Sequence, residues 1–403
     1  MLSERYRPDH LTTLHVVLKT VERCNIACSY CYFFDENDGS WRQHTPSISL
    51  STIDQLIKFL VEGLRDLPNI ASVRISFHGG EPTMQKKAAF DEMCTRLRAS
   101  LTPVTELELA MQSNGVLLDE EWVELLLKHE VACSISLDGP PECNDSVRPD
   151  HRGRGTHMRA VRGLRLLQQA TTRGLARPSI ICVVNPNFDA GQVYRHFVEE
   201  LGISEISYLL PTDTKQTPHD RGHVAAMGAF LSTTFAEWAR ADNPDVRIGI
   251  AHDAIARLLG QDSQFFPKLD LPATETFIVI GSSGHIIPDD ALTGKGVWDM
   301  RAAPTIFSTA LRDYLDSELM HWIKGTALST PTSCGGCDWK HVCSGGQLMH
   351  RFHPETHFDN PTVWCGALIG FLEQVFVYLV RNGVPQELLR RTVHAEERVS
   401  AIA

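Results

Sequence analysis

Apolar and polar positions alternate between two rhythms along the first 240 residues. Residues 14–21 are mostly β-branched and apolar and predict a strand. Residues 51–67 carry Ile53, Leu56, Ile57, Leu60, Val61 and Leu64 at helical spacing, with Ser51 and Asp54 marking a start. The two rhythms then recur. Strands are predicted at 72–77, 107–112, 132–137, 179–184 and 206–210, and helices at 86–101, 119–129, 158–171, 189–201 and 224–240. Such alternation predicts an α/β fold, a parallel sheet with crossover helices. After residue 241 the rhythm stops. Residues 276–280 and 285–287 flank Ser282-Ser283-Gly284 and predict a β-hairpin. A loop-rich stretch follows at 330–365, then helices at 367–381 and 385–399.

Composition narrows the classes. A length of 403 residues suggests two or three domains. The formal net charge of -11 argues against a nucleic-acid partner held by phosphate contacts. The most apolar stretch, 366–380, is interrupted by Glu373 and Gln374, so no membrane span is expected. The 11 cysteines are an odd number, and residues 1–11 lack the apolar core of a signal peptide. Reduced, metal-binding cysteines in the cytoplasm are therefore expected.

Two cysteine groups stand out. Cys24, Cys28 and Cys31 lie on a loop after the first strand, at the end where barrel-type folds carry their chemistry. Three soft thiolates suit an iron–sulfur cluster or zinc. Cys334, Cys337 and Cys343, with Cys365 further on, read as a four-thiolate site, and a zinc ribbon is the plain alternative. Cys94, Cys133, Cys143 and Cys182 remain; Cys133 and Cys182 fall within strands as core residues, Cys94 lies within a helix, and Cys143 has no assignment. Four histidines (His341, His350, His353 and His357) crowd the second group and read as loop residues.

Cys24-x3-Cys28-x2-Cys31, with Tyr30 before the last cysteine, resembles the signature of radical S-adenosylmethionine (SAM) enzymes. His78-Gly79-Gly80-Glu81-Pro82 after the second strand is similar to their segment for the SAM amino group; read alone it is a strand-to-helix turn beside a carboxylate that can pair with an ammonium. Ser136 and Arg148 stand at the offset where relatives hold the SAM ribose and carboxylate, and Asn114 ends the third strand. The resemblance implies a partial (β/α)6 TIM-like barrel of the radical SAM type. Its 4Fe-4S cluster would be held by Cys24, Cys28 and Cys31. Tyr30, Gly79, Gly80, Glu81, Asn114, Ser136 and Arg148 would line the S-adenosylmethionine site. The implied reaction is cleavage of SAM to a 5′-deoxyadenosyl radical that abstracts hydrogen.

The second cysteine group resembles a SPASM domain, the auxiliary-cluster domain of peptide-modifying radical SAM enzymes. Full SPASM domains carry seven cysteines and two clusters. Here Gln347 stands after Gly345-Gly346 where a cysteine is needed, and the hairpin at 281–290 has none. One auxiliary 4Fe-4S cluster is therefore expected, on Cys334, Cys337, Cys343 and Cys365. Asp290, or its neighbour Asp289, stands where sulfatase maturases have a carboxylate regarded as a base; both also read as turn carboxylates. The expected division is 1–240 for the barrel, 241–275 for a helical bridge, 276–366 for the SPASM-like domain and 367–403 for terminal helices.

The chain most resembles XYE-type cyclophane synthases, through Leu18, Lys19, Arg23, Cys24 and Asn25 and the cysteine-poor hairpin. That likeness implies an aryl-to-carbon crosslink in a ribosomally made precursor peptide. It also implies an electron donor of the flavodoxin or ferredoxin type. The short stretch before residue 14 leaves no room for an N-terminal leader-binding domain. The alternatives are formylglycine formation, as in anaerobic sulfatase maturases, and a non-catalytic zinc-binding scaffold.

Overall fold

The computed structural model describes residues 5–34, 39–217, 219–268, 271–293, 295, 297 and 302–394. The chain groups into two compact units, each built from separate stretches. The larger comprises Tyr6–Cys182 and Pro272–Ile323, and the smaller chiefly Val183–Leu271 and Lys324–Ala403. This grouping cuts the chain at other points than the periodicity suggested.

In the larger unit the strands are β1 (Thr13–Val21), β2 (Ser72–Gly79), β3 (Glu106–Ser113), β4 (Val131–Ser136) and β5 (Ser179–Val183). They pair in sequence order, all parallel, with α1 (Leu50–Asp66), α2 (Lys87–Leu101), α3 (Glu120–Lys128), α4 (Pro141–Val147) and α5 (His157–Ala170) as crossovers. Helix α1 starts at Ser49 rather than Ser51: the Ser49 hydroxyl accepts from the Thr52 N–H at 3.0 Å. Ile53, Leu56, Leu60 and Leu64 of its apolar stripe are buried, as are Val16 and Leu18 of β1, Ile75 and Phe77 of β2 and Leu109 and Met111 of β3.

The expected hairpin forms from β8 (Glu275–Ile280) and β9 (Ile286–Ile287). Its place differs from expectation, because β8 also pairs parallel with β1, Thr13 facing Glu275 and Leu18 facing Ile280. Tight local turns are readable from sequence; a pairing across some 260 residues is not.

The smaller unit holds α6 (Ala190–Arg195), β6 (Glu205–Leu209), α7 (Arg221–Ala241), β7 (Arg247–Ile248), α8 (Gly249–Leu258), α11 (Lys340–Cys343), α12 (Cys365–Arg381) and α13 (Gln386–His394). Two further helices are α9 (Leu311–Leu315) and α10 (Glu318–Ala327). Helix α12 packs on α7, where Gly228 lets the backbone of Ala367 come close. Among the described residues no helix is long and apolar enough to cross a membrane.

Candidate active site

The site grows from the junction of β1 and β2. Their register slips between Lys19, opposite His78, and Val21, opposite Gly79. Beyond the slip the two backbones touch. The Gly80 N–H donates to Val21 O at 2.7 Å and the Glu81 N–H to Arg23 O at 2.9 Å. A Cβ on Gly79 would lie 2.1 Å from Val21 O, and one on Gly80 2.2 Å from Arg23 O. Gly79 also has φ +130°, a region that favours glycine. Both glycines are thus required to bring this segment against the lead-in to the cysteine loop.

Glu81 has a different role from the one its sequence position suggests. Its carboxylate is buried and accepts from the Thr83 N–H (3.0 Å), the Thr83 hydroxyl, the Ser113 hydroxyl (2.8 Å) and the Asn114 N–H (2.7 Å). Burial raises its pKa, against the pull of these bonds. The carboxylate joins the ends of β2 and β3. Asn114 reaches on to the cysteine loop, its side-chain amide donating to Asn25 Oδ1 at 2.8 Å and lying 3.8 Å from Cys24 Sγ.

Tyr30 and Arg148 meet over a residue the sequence did not single out. The Tyr30 hydroxyl contacts both Asp138 and Arg148, and Arg148 lies 3.6 Å from Asp138. Arg148 is close enough to Cys28 to favour its thiolate. Asp138 sits in the Asp-Gly turn that ends β4, a position that sequence alone reads as a turn.

A polar row crosses the carboxyl ends of the strands. Asp290 pairs with Lys19 and accepts from the Tyr32 hydroxyl at 2.9 Å. Lys19 Nζ lies 3.1 Å from His78 Nδ1, and His78 Nε2 lies 3.0 Å from Gln112 Oε1. Gln112 in turn donates to the Ser136 hydroxyl at 3.4 Å. Burial would raise the Asp290 carboxyl, but the Lys19 ammonium and the hydrogen bonds hold it below the usual range. Burial, then the charge of Lys19, lowers His78 to about 4, so its imidazole is neutral near pH 7. Asp290 and Lys19 line a recess of about 320 Å³. Asp289 instead caps the turn after it, accepting from the Ala291 N–H at 2.9 Å. Lys19 and His78 stand near the ends of apolar strands and within the sequence motifs, whereas Tyr32, next to Cys31, had no signal of its own.

Burial, with smaller contributions from neighbouring anionic groups, pushes the Cys24 and Cys28 thiols up to about 12 and about 11, with Arg148 opposing the rise at Cys28. Bound iron would reverse that balance and stabilise the thiolates. Cys334, Cys337, Cys343 and Cys365 all line one cavity of about 280 Å³ in the smaller unit. Ser344, Gly345 and Gly346, all at positive φ, fold the chain back so that the Thr362 N–H donates to Gly345 O at 2.9 Å, which brings Cys365 to the other three. Lys215 and Arg351 lie near these thiols and balance their charge. Among the described residues neither cysteine set draws three sulfurs within 4.8 Å of one another, the span of a single-ion site. Three thiolates in one set and four in the other are donors that suit iron–sulfur clusters. Cys94, Cys133, Cys143 and Cys182 are buried, away from this role.

Residues 18–190 match the Radical SAM superfamily model. That stretch of the chain is similar to the radical SAM superfamily. It is 24% identical to the serine-type anaerobic sulfatase-maturating enzyme of Bacteroides thetaiotaomicron, over 84% of this chain and 83% of that protein. It is 22% identical to the cysteine-type enzyme of Clostridium novyi, over 90% and 96%. The structure of native anSMEcpe with bound AdoMet and Cp18Cys peptide covers 92% of this chain and 98% of its own, with a TM-score of 0.76 at 19% identity. The radical SAM fold, α/β with a parallel sheet, is as expected. The crosslinking reading is corrected: the relatives that span most of the chain are sulfatase-maturating enzymes, and nothing among them supports cyclophane formation or the XYE subtype.

Two outcomes test this geometry. Gly79→Ala should remove the iron of the 24–31 loop and leave that of the second set, so that iron per chain falls by about half; unchanged iron would sink the argument for close backbone approach. Lys19→Met should cost about 3–5 kcal/mol in urea unfolding, because it leaves Asp290 buried without its cation. The depressed Asp290 pKa contributes stability that is present above the unfolded carboxylate value and lost as pH falls through the folded one. Without Lys19 the folded value rises, and the loss of any function needing ionised Asp290 begins at higher pH.

Proposed function

We propose that this protein is a radical SAM maturase that converts a serine or cysteine of a protein or peptide substrate to formylglycine. The observation that carries the reading is Asp290, held ionised by Lys19 and Tyr32 in a recess of the same unit as the cysteine loop. Full-length likeness to enzymes of that name agrees with it.

The cofactors are S-adenosylmethionine, the 4Fe-4S cluster that binds it and one auxiliary 4Fe-4S cluster. Together they supply a 5′-deoxyadenosyl radical for hydrogen abstraction and a sink for the surplus electron. Cys24, Cys28 and Cys31 would hold the first cluster, with Asn114 against Cys24. Gly79 and Gly80 would offer backbone to the SAM amino group. Tyr30, Asp138 and Arg148 form a buried charged cluster beside Cys28, with Arg148 the donor for the SAM carboxylate. Cys334, Cys337, Cys343 and Cys365 would hold the auxiliary cluster.

Asp290 Oδ2 would take the proton from the substrate hydroxyl or thiol as the aldehyde or thioaldehyde forms. Lys19 keeps that oxygen ionised beforehand and shares the proton's charge afterwards. His78, neutral, orients the Lys19 ammonium through Nδ1. The apolar walls of the recess, Phe33, Trp41 and Ile287, exclude water around the reacting group.

The test is anaerobic incubation of the reconstituted enzyme with SAM, a reductant and matched sulfatase-type peptides carrying serine or cysteine. The expected product is an aldehyde that reacts with hydrazine, formed on one peptide or both. Asp290→Asn should lower its rate by about 10²–10⁴ while 5′-deoxyadenosine release persists. Release of 5′-deoxyadenosine with both peptides unchanged would reject the formylglycine reading and keep the radical chemistry.

A further inference from the structure

A second donor set shares the recess with Asp290 and Lys19, and it includes none of the cysteines. Glu22 lies just past β1, His44 lies in the segment before α1, and His285 lies in the turn between β8 and β9. Among the described residues these three form the group whose ligand atoms, one from each, all lie within 4.8 Å of one another. A single ion with bonds of about 2.0–2.2 Å draws donors to nearly that span.

The surroundings look built for the three. Glu22 is 1% exposed, and its Oε1 accepts from both the N–H and the hydroxyl of Ser282 at 2.8 Å. Oε2 is left toward His44. A carboxylate fixed through one oxygen with the other turned inward is the usual arrangement of a ligating carboxylate. His285 lies over Gly281 so closely that a Cβ there would fall 1.8 Å from its ring, so the imidazole has its seat only because residue 281 is glycine. The His44 and His285 rings lie 4.2 Å apart between centroids, tilted by 35°. Ser282 ties the segment carrying His44 to the same turn, its Oγ accepting from the Thr45 hydroxyl at 3.2 Å.

Charge agrees with this. Lys19 pairs with Asp290, and the remaining carboxylate of the recess, Glu22, faces the two imidazoles with its Oε2 against His44 Nδ1. Two imidazoles and one carboxylate suit a divalent first-row transition ion, whereas they are poor ligands for magnesium or calcium, which favour all-oxygen sites.

We propose that Glu22, His44 and His285 bind one divalent transition-metal ion of the zinc class. The site is mononuclear, with nitrogen and oxygen donors, and is separate from both iron–sulfur sets. Three protein ligands leave a position open, as in catalytic rather than structural zinc sites. Its occupant would be water or a donor atom of whatever enters the recess; that last point alone rests on the peptide reading above.

The experiment uses the iron-loaded protein, prepared without oxygen, incubated with Zn²⁺ in the absence of peptide and passed over a chelating resin. About one retained zinc per chain is expected, with an X-ray absorption edge showing nitrogen and oxygen neighbours and no sulfur. His285→Ala and His44→Ala should each weaken retention at least about tenfold while iron per chain stays at the wild-type value, which shows that the fold and clusters are intact. If His285→Ala loses iron as well, His285→Gln, which keeps most of the side-chain volume, replaces it in the comparison. No retained zinc, zinc with sulfur neighbours, or full retention in both histidine variants would overturn the proposal. Peptide is absent throughout, so the result is independent of whether formylglycine is made.

Discussion

The buried Glu81 carboxylate is the tie on which the chemistry of the larger unit depends. Four donors from Thr83, Ser113 and Asn114 converge on its two oxygens, and its own N–H reaches Arg23. The ends of β1, β2 and β3 are thereby fixed relative to one another. A buried charge is costly unless every lone pair is satisfied, and here the satisfaction is local and complete enough to set geometry. Asn114, positioned by this tie, then touches the first cysteine of the loop. The carboxylate therefore organises the cofactor site from behind it.

The polar row from Asp290 to Ser136 follows from the same strand ends. Parallel register sets Lys19 beside His78 and puts Gln112 next in line. Side chains one step earlier on each strand, Leu18, Phe77 and Met111, are buried and apolar. The row is thus the boundary between a closed core and an open chemical face. Electrostatics along it are consistent: one cation, one ionised carboxylate and a neutral imidazole between them and an amide.

Much of this was legible in the sequence. The strands appear within two residues of where periodicity put them, because each is a local pattern with a buried face; among the helices α6 ends at Arg195 instead of 201, α7 starts three residues early at Arg221, and α4 was not expected. The two cysteine groups were legible from spacing alone. What sequence could not supply was contact between distant segments. Helix α8 lies in the stretch 241–275 expected as a helical bridge, for which the sequence offered no bounds. Asp138 reads as a turn until Tyr30 and Arg148 close on it. Glu22, His44 and His285 carry no spacing signature, since 22 and 241 residues separate them. Glu81 was legible as a site residue, but its partners Ser113 and Thr83 were not, which is why its charge looked free for a ligand. The expected crosslinking chemistry rested on family likeness in short motifs, and likeness over the full chain points elsewhere.

The parallel pairing of β8 with β1 bears on how the chain is made. β1, which leads into the cysteine loop, has β2 on one side soon after synthesis begins. Its other edge stays open until residues 275–280 leave the ribosome. For that interval an apolar strand presents unpaired backbone groups, a template for wrong pairing with other chains. A fragment ending near residue 240 would keep all six alternating strands of the sequence pattern and still carry that open edge. The completion of β1 thus waits for residues 275–280, and the loop that follows it gains its final support only once they have joined the sheet.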